Sequence, residues 1–262
     1  MTWLDTTTEP ATPLVLGRAV RAEWSRLWTV RPTWAFVIVA TLGVGGISAL
    51  IGSDSRGQGQ TEPGETVWSA VQILGLLALF LLLAMAAVSA TADYGTGGIV
   101  PTLQWTPRRN VLLAARAAVI VATVTLFGLT LATASAVVIN RIAPVLPLPW
   151  DEGAETLATL GHVYAHGALF AVGLGLLLRS TAGAVVTVLG LMLVLPFLLG
   201  NFPYQWAQDI AVVLPGSSAV KLVVGEGPPG LTAADARVTL ALWTIAAVVA
   251  GGWRLVRTDA NR

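Results

Sequence analysis

Long apolar segments alternate with short polar connections along the whole chain. A membrane-spanning helix needs about 20 mainly apolar residues, and six segments approach or exceed that length. They are Trp34–Ile51, Trp68–Ala92, Val111–Ile139, Leu157–Leu178, Ala182–Gly200 and Val238–Trp253. The fourth and fifth are separated by only three residues, which predicts a tight antiparallel hairpin. The pattern therefore predicts an all-α polytopic membrane protein with six transmembrane helices, in a transmembrane domain spanning residues 33–257.

The segment Leu14–Arg31, before the first span, has a different pattern. Its large apolar residues recur at helical spacing, while arginines lie largely on other faces. A basic amphipathic helix that contains tryptophan suits the headgroup region of a membrane. We therefore expect residues 1–32 to be a cytoplasmic tail with an interfacial helix, and residues 258–262 to be a second cytoplasmic tail. A plain basic anchor that only sets orientation is the alternative. The residues expected to act at this interface are Arg21, Trp24, Leu27, Trp28 and Arg31.

The connection Asn201–Arg237 is too polar to span a membrane, yet it is rich in large apolar residues. Two short helices that dip into the outer leaflet would explain this composition, since irregular backbone is tolerated there when protein covers it. We predict one such helix over Tyr204–Val213, ended by Pro215. An ordinary surface loop is the alternative. Tyr204, Trp206 and Ile210 are the candidate residues of an outer gate.

The charged residues are few and are sorted by position. They make up 11% of the 262 residues, against 55% hydrophobic residues, whereas a soluble domain carries about 25% charged residues. With both termini in the cytoplasm, eleven of the fifteen basic residues lie inside, as the positive-inside rule requires. The inner residues are Arg18, Arg21, Arg26, Arg31, Arg108, Arg109, Arg116, Arg179, Arg254, Arg257 and Arg262. The four outer residues are Arg56, Arg141, Lys221 and Arg237.

The chain lacks the residues that most catalytic and transport mechanisms require. The chain has no cysteine, and the lone Lys221 does not follow a glycine, so no phosphate-binding loop exists. Ion-coupled carriers usually need ionisable groups inside the bilayer, but four of the six spans have none in their cores. Arg116, in the inner part of the third span, is expected to extend to the interface. The triplet Gly216–Ser218 has no histidine placed beside it, which makes an intramembrane hydrolase the weakest alternative.

His162 and His166 form the exception, in the outer half of the fourth span. Their spacing of four residues puts them on one helical face, and such pairs can bind a metal. Without a nearby carboxylate or cysteine, however, two ligands make an incomplete site. We therefore expect hydrogen bonds between helices, or the lining of a polar cavity, and no metal. A metal or haem site is the alternative.

Three stretches together resemble the permease subunits of type-2 ABC exporters, in particular actinobacterial ones. The first, from Arg21 to Trp34, resembles the N-terminal amphipathic helix of that family. The second runs from Asp93 through Arg109 to Arg116, where family members often have an acidic residue, tyrosine, a Gly-Thr pair and a basic stretch. Here Asp93 replaces a common glutamate. The third, Leu176–Ala184, resembles the usual break between the fourth and fifth spans.

The resemblance implies an ATP-driven exporter in the plasma membrane, with a separate ATPase subunit and a second permease copy. The chain itself would bind no cofactor, because ATP and Mg²⁺ belong to the ATPase, and it would contact lipids but not nucleic acid. The resemblance does not identify the substrate, which could be a peptide, an antibiotic, a lipid or a polysaccharide. An ion-coupled carrier and a non-transport membrane protein remain alternatives. The expected ATPase-coupling contact comprises Asp93, Tyr94, Gly97, Ile99, Leu103, Trp105, Arg108 and Arg109.

The charge asymmetry predicts which connections face outward. Single cysteines at Gln60 and Glu152 should react with a membrane-impermeant thiol reagent on intact cells, whereas cysteines at Thr106 and Asn261 should not. The parent chain gives no background, because it has no cysteine. Labelling of Thr106→Cys or Asn261→Cys on intact cells would contradict the topology.

Overall fold

The computed structural model describes residues 12–58, 64–95 and 109–257, and these residues form nine α-helices without a strand. Six of the helices are long and apolar enough to cross a membrane, which confirms the all-α polytopic fold. They are α2, α3, α4, α5, α6 and α9. The nine helices are α1 (Thr12–Thr29), α2 (Arg31–Gln58), α3 (Val67–Gly95), α4 (Arg109–Ile142), α5 (Trp150–Leu178), α6 (Thr181–Gly200, with a π-helical turn at Gly190–Val194), α7 (Gln205–Val212), α8 (Pro215–Val224) and α9 (Ala233–Arg257).

Each spanning helix begins before, or ends after, the apolar segment that predicts it. The additional turns are more polar than the apolar segments, and in α5 and α9 some of their charges suit the helix ends that carry them. Asp151 and Glu152 lie in the first turn of α5, while Arg254 and Arg257 lie in the last turn of α9. Acidic residues stabilise a helix N-terminus and basic residues a C-terminus, through the helix dipole. At these two ends the charges therefore favour continuing the helix beyond its apolar segment.

The centre of the bundle is formed by α3 and α5. In each, 67% of the most apolar 18-residue window is buried, against 22% in α2 and α6. The apolar residues of α2 and α6 are instead exposed on the outside of the bundle, as Leu42 and Phe197 illustrate with exposed fractions of 70% and 73%. These outer surfaces suit contact with lipid or with another membrane protein.

Two glycines allow the backbones of α5 and α9 to touch. A Cβ atom at Gly173 would lie 2.4 Å from the carbonyl carbon of Ala247, and one at Gly251 would lie 2.3 Å from the carbonyl oxygen of Gly173. Small residues promote such close helix packing in membranes, where van der Waals contact drives association. This crossing joins α9 to the centre of the bundle.

The predicted hairpin between the fourth and fifth spans is confirmed. Arg179 takes the left-handed conformation, with φ of 54°, and its backbone N–H donates to the Gly175 carbonyl at 2.9 Å. Ser180 then caps α6 by accepting a hydrogen bond from the Gly183 N–H at 3.2 Å. Two residues are therefore enough to reverse the chain.

The outer connection contains the predicted short helix, observed as α7 over Gln205–Val212, and a second short helix, α8. Pro215 is the first residue of α8, and the two helices meet at 77°. Gly216 sits on α6, since a Cβ there would lie 2.0 Å from the Met192 carbonyl oxygen. The Trp243 indole of α9 donates to the Val213 carbonyl at 2.8 Å. The bent pair is thereby held against α6 and α9.

The α5–α9 crossing predicts a large difference between two glycine substitutions. Gly173→Val should destabilise the protein by about 1–3 kcal/mol, because the new side chain forces the two backbones apart. Gly46→Val is the matched control, since Gly46 of α2 has open space around it. The thermal unfolding midpoint in detergent measures both. Equal midpoints for the two variants would contradict the packing described here.

Candidate functional site

One face of α1 packs against the bundle. Ala19, Glu23 and Leu27 are four residues apart and are 8%, 5% and 2% exposed. Trp24, about 100° around the helix from Glu23, is exposed at 47%, and Leu16, near the start of the helix, is exposed at 38%. The single apolar face predicted for this helix is therefore wrong in one respect, because Leu27 points into the protein and Trp24 points outward. A carboxylate lies in the middle of the inward face, and it needs partners there.

The partner is Arg116 of α4, which does not extend to the interface as predicted. Its side chain is 1% exposed and turns into the bundle. Its Nε and Nη2 donate to the two carboxylate oxygens of Glu23 at 3.2 and 3.1 Å, and Nη2 also donates to Asp93 of α3. Nη1 donates to the Ala90 carbonyl at 3.2 Å. The prediction fails because two carboxylates and the Ala90 carbonyl give the guanidinium more hydrogen-bond partners than an extended side chain would find.

Arg26 of α1 completes the group. It donates to Glu23 through Nε at 2.9 Å, to Asp93 through Nη1 at 3.1 Å, and to the Ser89 carbonyl through Nη2 at 3.0 Å. We call Glu23, Arg26, Asp93 and Arg116 the ion cluster. Two carboxylates and two guanidiniums balance in charge, so the cluster can be buried without an isolated ion. It joins α1 to both α3 and α4.

The sequence prediction includes Asp93 but omits Glu23, although the sequence contained an indication that Glu23 belongs to the site. An arginine inside an apolar span needs a counter-charge. Glu23 and Asp93 are two of the five acidic residues assigned to the inner side, so carboxylates that could pair with Arg116 were already visible in the sequence. The helical pattern alone hides Glu23, because it looks like one more polar position on a basic helix.

The ion cluster lies near the end of α3 and the start of α4. Asp93 is two residues before the end of α3, and Arg116 is seven residues after the start of α4. The positive-inside rule predicts that both helix ends are on the cytoplasmic side. Most of the expected coupling contact is in residues 96–108, outside the described residues. These positions are Gly97, Ile99, Leu103, Trp105 and Arg108.

Tyr94 and Arg109, the other described residues of that expected contact, lie against helices of the same chain. The Arg179 guanidinium lies over the Tyr94 ring, 5.8 Å from its centroid. Arg109 donates through Nη1 to the Leu255 and Val256 carbonyls at 2.9 and 3.1 Å. The start of α4 is thereby fastened to the end of α9.

Three tryptophans meet where α1 turns into α2. The ring centroid of Trp28 is 5.7 Å from that of Trp24 and 5.3 Å from that of Trp34. The Trp34 indole donates to the Trp28 carbonyl at 3.0 Å. Arg21 and Arg31, which precede Trp24 and Trp34 by three residues each, are exposed. Aromatic and basic side chains in this arrangement are typical of a membrane–water interface.

The expected outer gate residues are exposed. Tyr204, Trp206 and Ile210 are 58%, 55% and 44% exposed, and the first two rings stack with centroids 6.2 Å apart. None of the three lines the nearby cavity of about 450 Å³, whose walls come from α3, α6, α8 and the turn after α8. Its lining includes Leu76, Phe80, Met192, Pro196, Phe197, Ser217, Val220 and Glu226.

The two histidines are adjacent on α5, with ring centroids 4.2 Å apart. His166 Nδ1 lies 3.0 Å from the His162 carbonyl oxygen, and Thr244 of α9 donates to the His166 carbonyl at 3.2 Å. Within the described ranges, no third histidine, cysteine or acidic side chain joins the pair into a group that could hold a metal ion. The neighbourhood instead contains a hydrogen bond between helices.

Comparison of the sequence with protein-family models and with curated proteins finds no match.

The ion cluster predicts a strong and specific mutational effect. Arg116→Gln should destabilise the protein by about 3–5 kcal/mol, because Glu23 and Asp93 would remain buried without their partner. Combining it with Glu23→Gln should cost less than the sum of the single changes, since contacting residues are coupled. Arg21→Gln, at an exposed arginine of α1, is the control. Thermal midpoints in detergent measure the four variants, and simple additivity would contradict the cluster.

Proposed function

We propose that this chain is the transmembrane permease subunit of a type-2 ABC exporter in the plasma membrane. It acts with a second permease copy and with a separate ATPase subunit, which binds ATP and Mg²⁺. The sequence resemblance suggests the class, and the ion cluster is the observation that carries the proposal. The proposal needs a mechanical link between the cytoplasmic surface and the spans, and the cluster has the position and the strength for one.

The link works because a buried charge network resists separation. Removing one partner of such a pair costs about 3–5 kcal/mol, so α1 and the adjoining ends of α3 and α4 move together. In the proposed cycle, ATP binding closes the ATPase dimer against the connection formed by residues 96–108 and against α1. The cluster transmits that displacement to α3 and α4, which carry it across the membrane.

The cavity of about 450 Å³ suits the outward end of the transport path. It lies beside the π-helical turn of α6 at Gly190–Val194, and π-helical turns are frequent at functional sites. The exposed apolar face of α6, with Val186 and Phe197 at 70% and 73% exposure, offers a surface for the second permease copy. The substrate would enter from the cytoplasm or the inner leaflet and leave through this region.

The pairing of the buried charges favours this proposal over an ion-coupled carrier. Such a carrier needs an intramembrane group that is free to take up a proton or an ion. In the part of the chain that the structure describes, Glu23 and Arg116 are the buried charged side chains, and they bind each other. Energy from a partner ATPase fits a chain whose charges are already satisfied.

Assembly with the ATPase tests the proposal. The double variant Leu103→Asp and Trp105→Asp should express and insert normally, because residues 96–108 lie outside the hydrocarbon by the charge rule. Loss of apolar anchors at an interface typically costs about 2–4 kcal/mol, which weakens association roughly 30-fold or more. Copurification of an ATPase from native membranes, identified by mass spectrometry, together with transport-linked ATP hydrolysis, measures the effect.

The matched control is Thr102→Asp with Gln104→Asp, which adds the same charge to the same connection without removing apolar side chains. It should retain most of the ATPase. If no ATPase copurifies with the parent chain, the proposed class is wrong. If the Leu103 and Trp105 double variant assembles and functions normally, the coupling contact lies elsewhere, with α1 as the next surface to change.

A further inference from the structure

A groove of about 410 Å³ runs between α4 and α9 in the cytoplasmic half of the bundle. It is separate from the ion cluster and from the outer cavity, and it opens toward the lipid. The groove is lined by Asn110, Leu113, Val248, Val249, Gly252, Trp253, Val256 and Arg257.

The groove is built into the helix packing. Gly252 leaves room at its base, because a Cβ there would lie 3.0 Å from Leu113 Cδ2. At the cytoplasmic end, Arg109 fastens the start of α4 to the last turns of α9 through the Leu255 and Val256 carbonyls. Gly252 and Arg109 act at different depths of the groove, and together they hold its two walls at a fixed separation.

Polar and apolar groups are separated along the length of the groove. Val248 and Val249 lie at its deep end, and Asn110 and Arg257 lie at its cytoplasmic end. The nine steps from Val248 to Arg257 correspond to roughly 14 Å along α9. That distance is about half of the hydrocarbon thickness of a bilayer, which is close to 30 Å. The groove thus matches one leaflet, with its polar end at the headgroups.

The polar end carries positive charge. Arg257 is exposed, and its guanidinium lies 5.8 Å from the ring centroid of Trp253, also at the surface. The ion pairs recorded among the described residues all belong to the ion cluster, so no described carboxylate neutralises Arg257. A guanidinium in this position matches the geometry and the charge of a phosphate group, and a tryptophan beside it suits the headgroup level.

We propose that this groove binds an anionic glycerophospholipid of the inner leaflet. The phosphate lies at Arg257 and Asn110, and an acyl chain lies along Leu113 and Val249. A transmembrane helix of a partner would pack along about 20 residues, whereas the groove follows ten residues of α9. Its length and its charged end therefore fit a lipid. The proposal does not depend on the transport function.

Lipid retention by the purified full chain tests the site. The protein is incubated in mild detergent with phosphatidylglycerol or with phosphatidylcholine of identical acyl chains, and native mass spectrometry measures the bound lipid. The parent chain should retain phosphatidylglycerol at least about tenfold better, as expected for a charge-assisted contact. Arg257→Gln should abolish this preference. Val249→Trp, at a residue that is 64% exposed and can accept a larger side chain, should reduce binding of both lipids.

Two controls separate the groove from general effects. Arg237→Gln removes an exposed arginine from the other end of α9, and Val238→Trp enlarges an exposed residue of α9 in the outer half. Both should bind lipid like the parent chain. Equal retention of the two lipids by the parent chain, an unchanged preference in Arg257→Gln, or an equal loss in Arg237→Gln would each overturn the proposal.

Discussion

The guanidinium of Arg116 is buried seven residues inside an apolar span, and much of the inner half of the molecule follows from that placement. A charge in that position is tolerated only with close counter-charges. Glu23 and Asp93 supply them, and Arg26 balances the second negative charge. Therefore α1 is not a helix that is bound to the membrane surface alone. It is a structural part of the bundle, with one side packed against α4 and another side exposed.

The helical framework was predictable because it depends on local quantities. The length of each apolar segment sets each span, and the two residues Arg179 and Ser180 leave no room for anything but a hairpin. The short helix α7 was also predictable, since its apolar residues recur at helical spacing between two prolines. The helix ends were predicted less accurately, because the polar turns beyond each apolar segment do not show in the hydrophobic pattern.

The site was harder to predict, because it depends on which helices become neighbours. The direction of the Arg116 side chain is decided by carboxylates 93 and 23 residues away in the chain. Likewise, the apolar pattern of α1 predicted one face that included Trp24, and only the packing against α4 selects the inward face that contains Glu23. Tyr204, Trp206 and Ile210 looked like gate residues by composition, yet the cavity walls come from other helices. The α5–α9 crossing also depends on a distant pair of glycines.

The order of the ion cluster along the chain has a consequence for biogenesis. Synthesis proceeds from the N-terminus, so Glu23, Arg26 and Asp93 are all made before Arg116 emerges from the ribosome. When α4 enters the bilayer, both acids that receive its arginine are already at the inner surface. Insertion of α4 is then helped by the finished part of the protein, and a change in α1 should first be felt as poor insertion of a helix synthesised some 90 residues later.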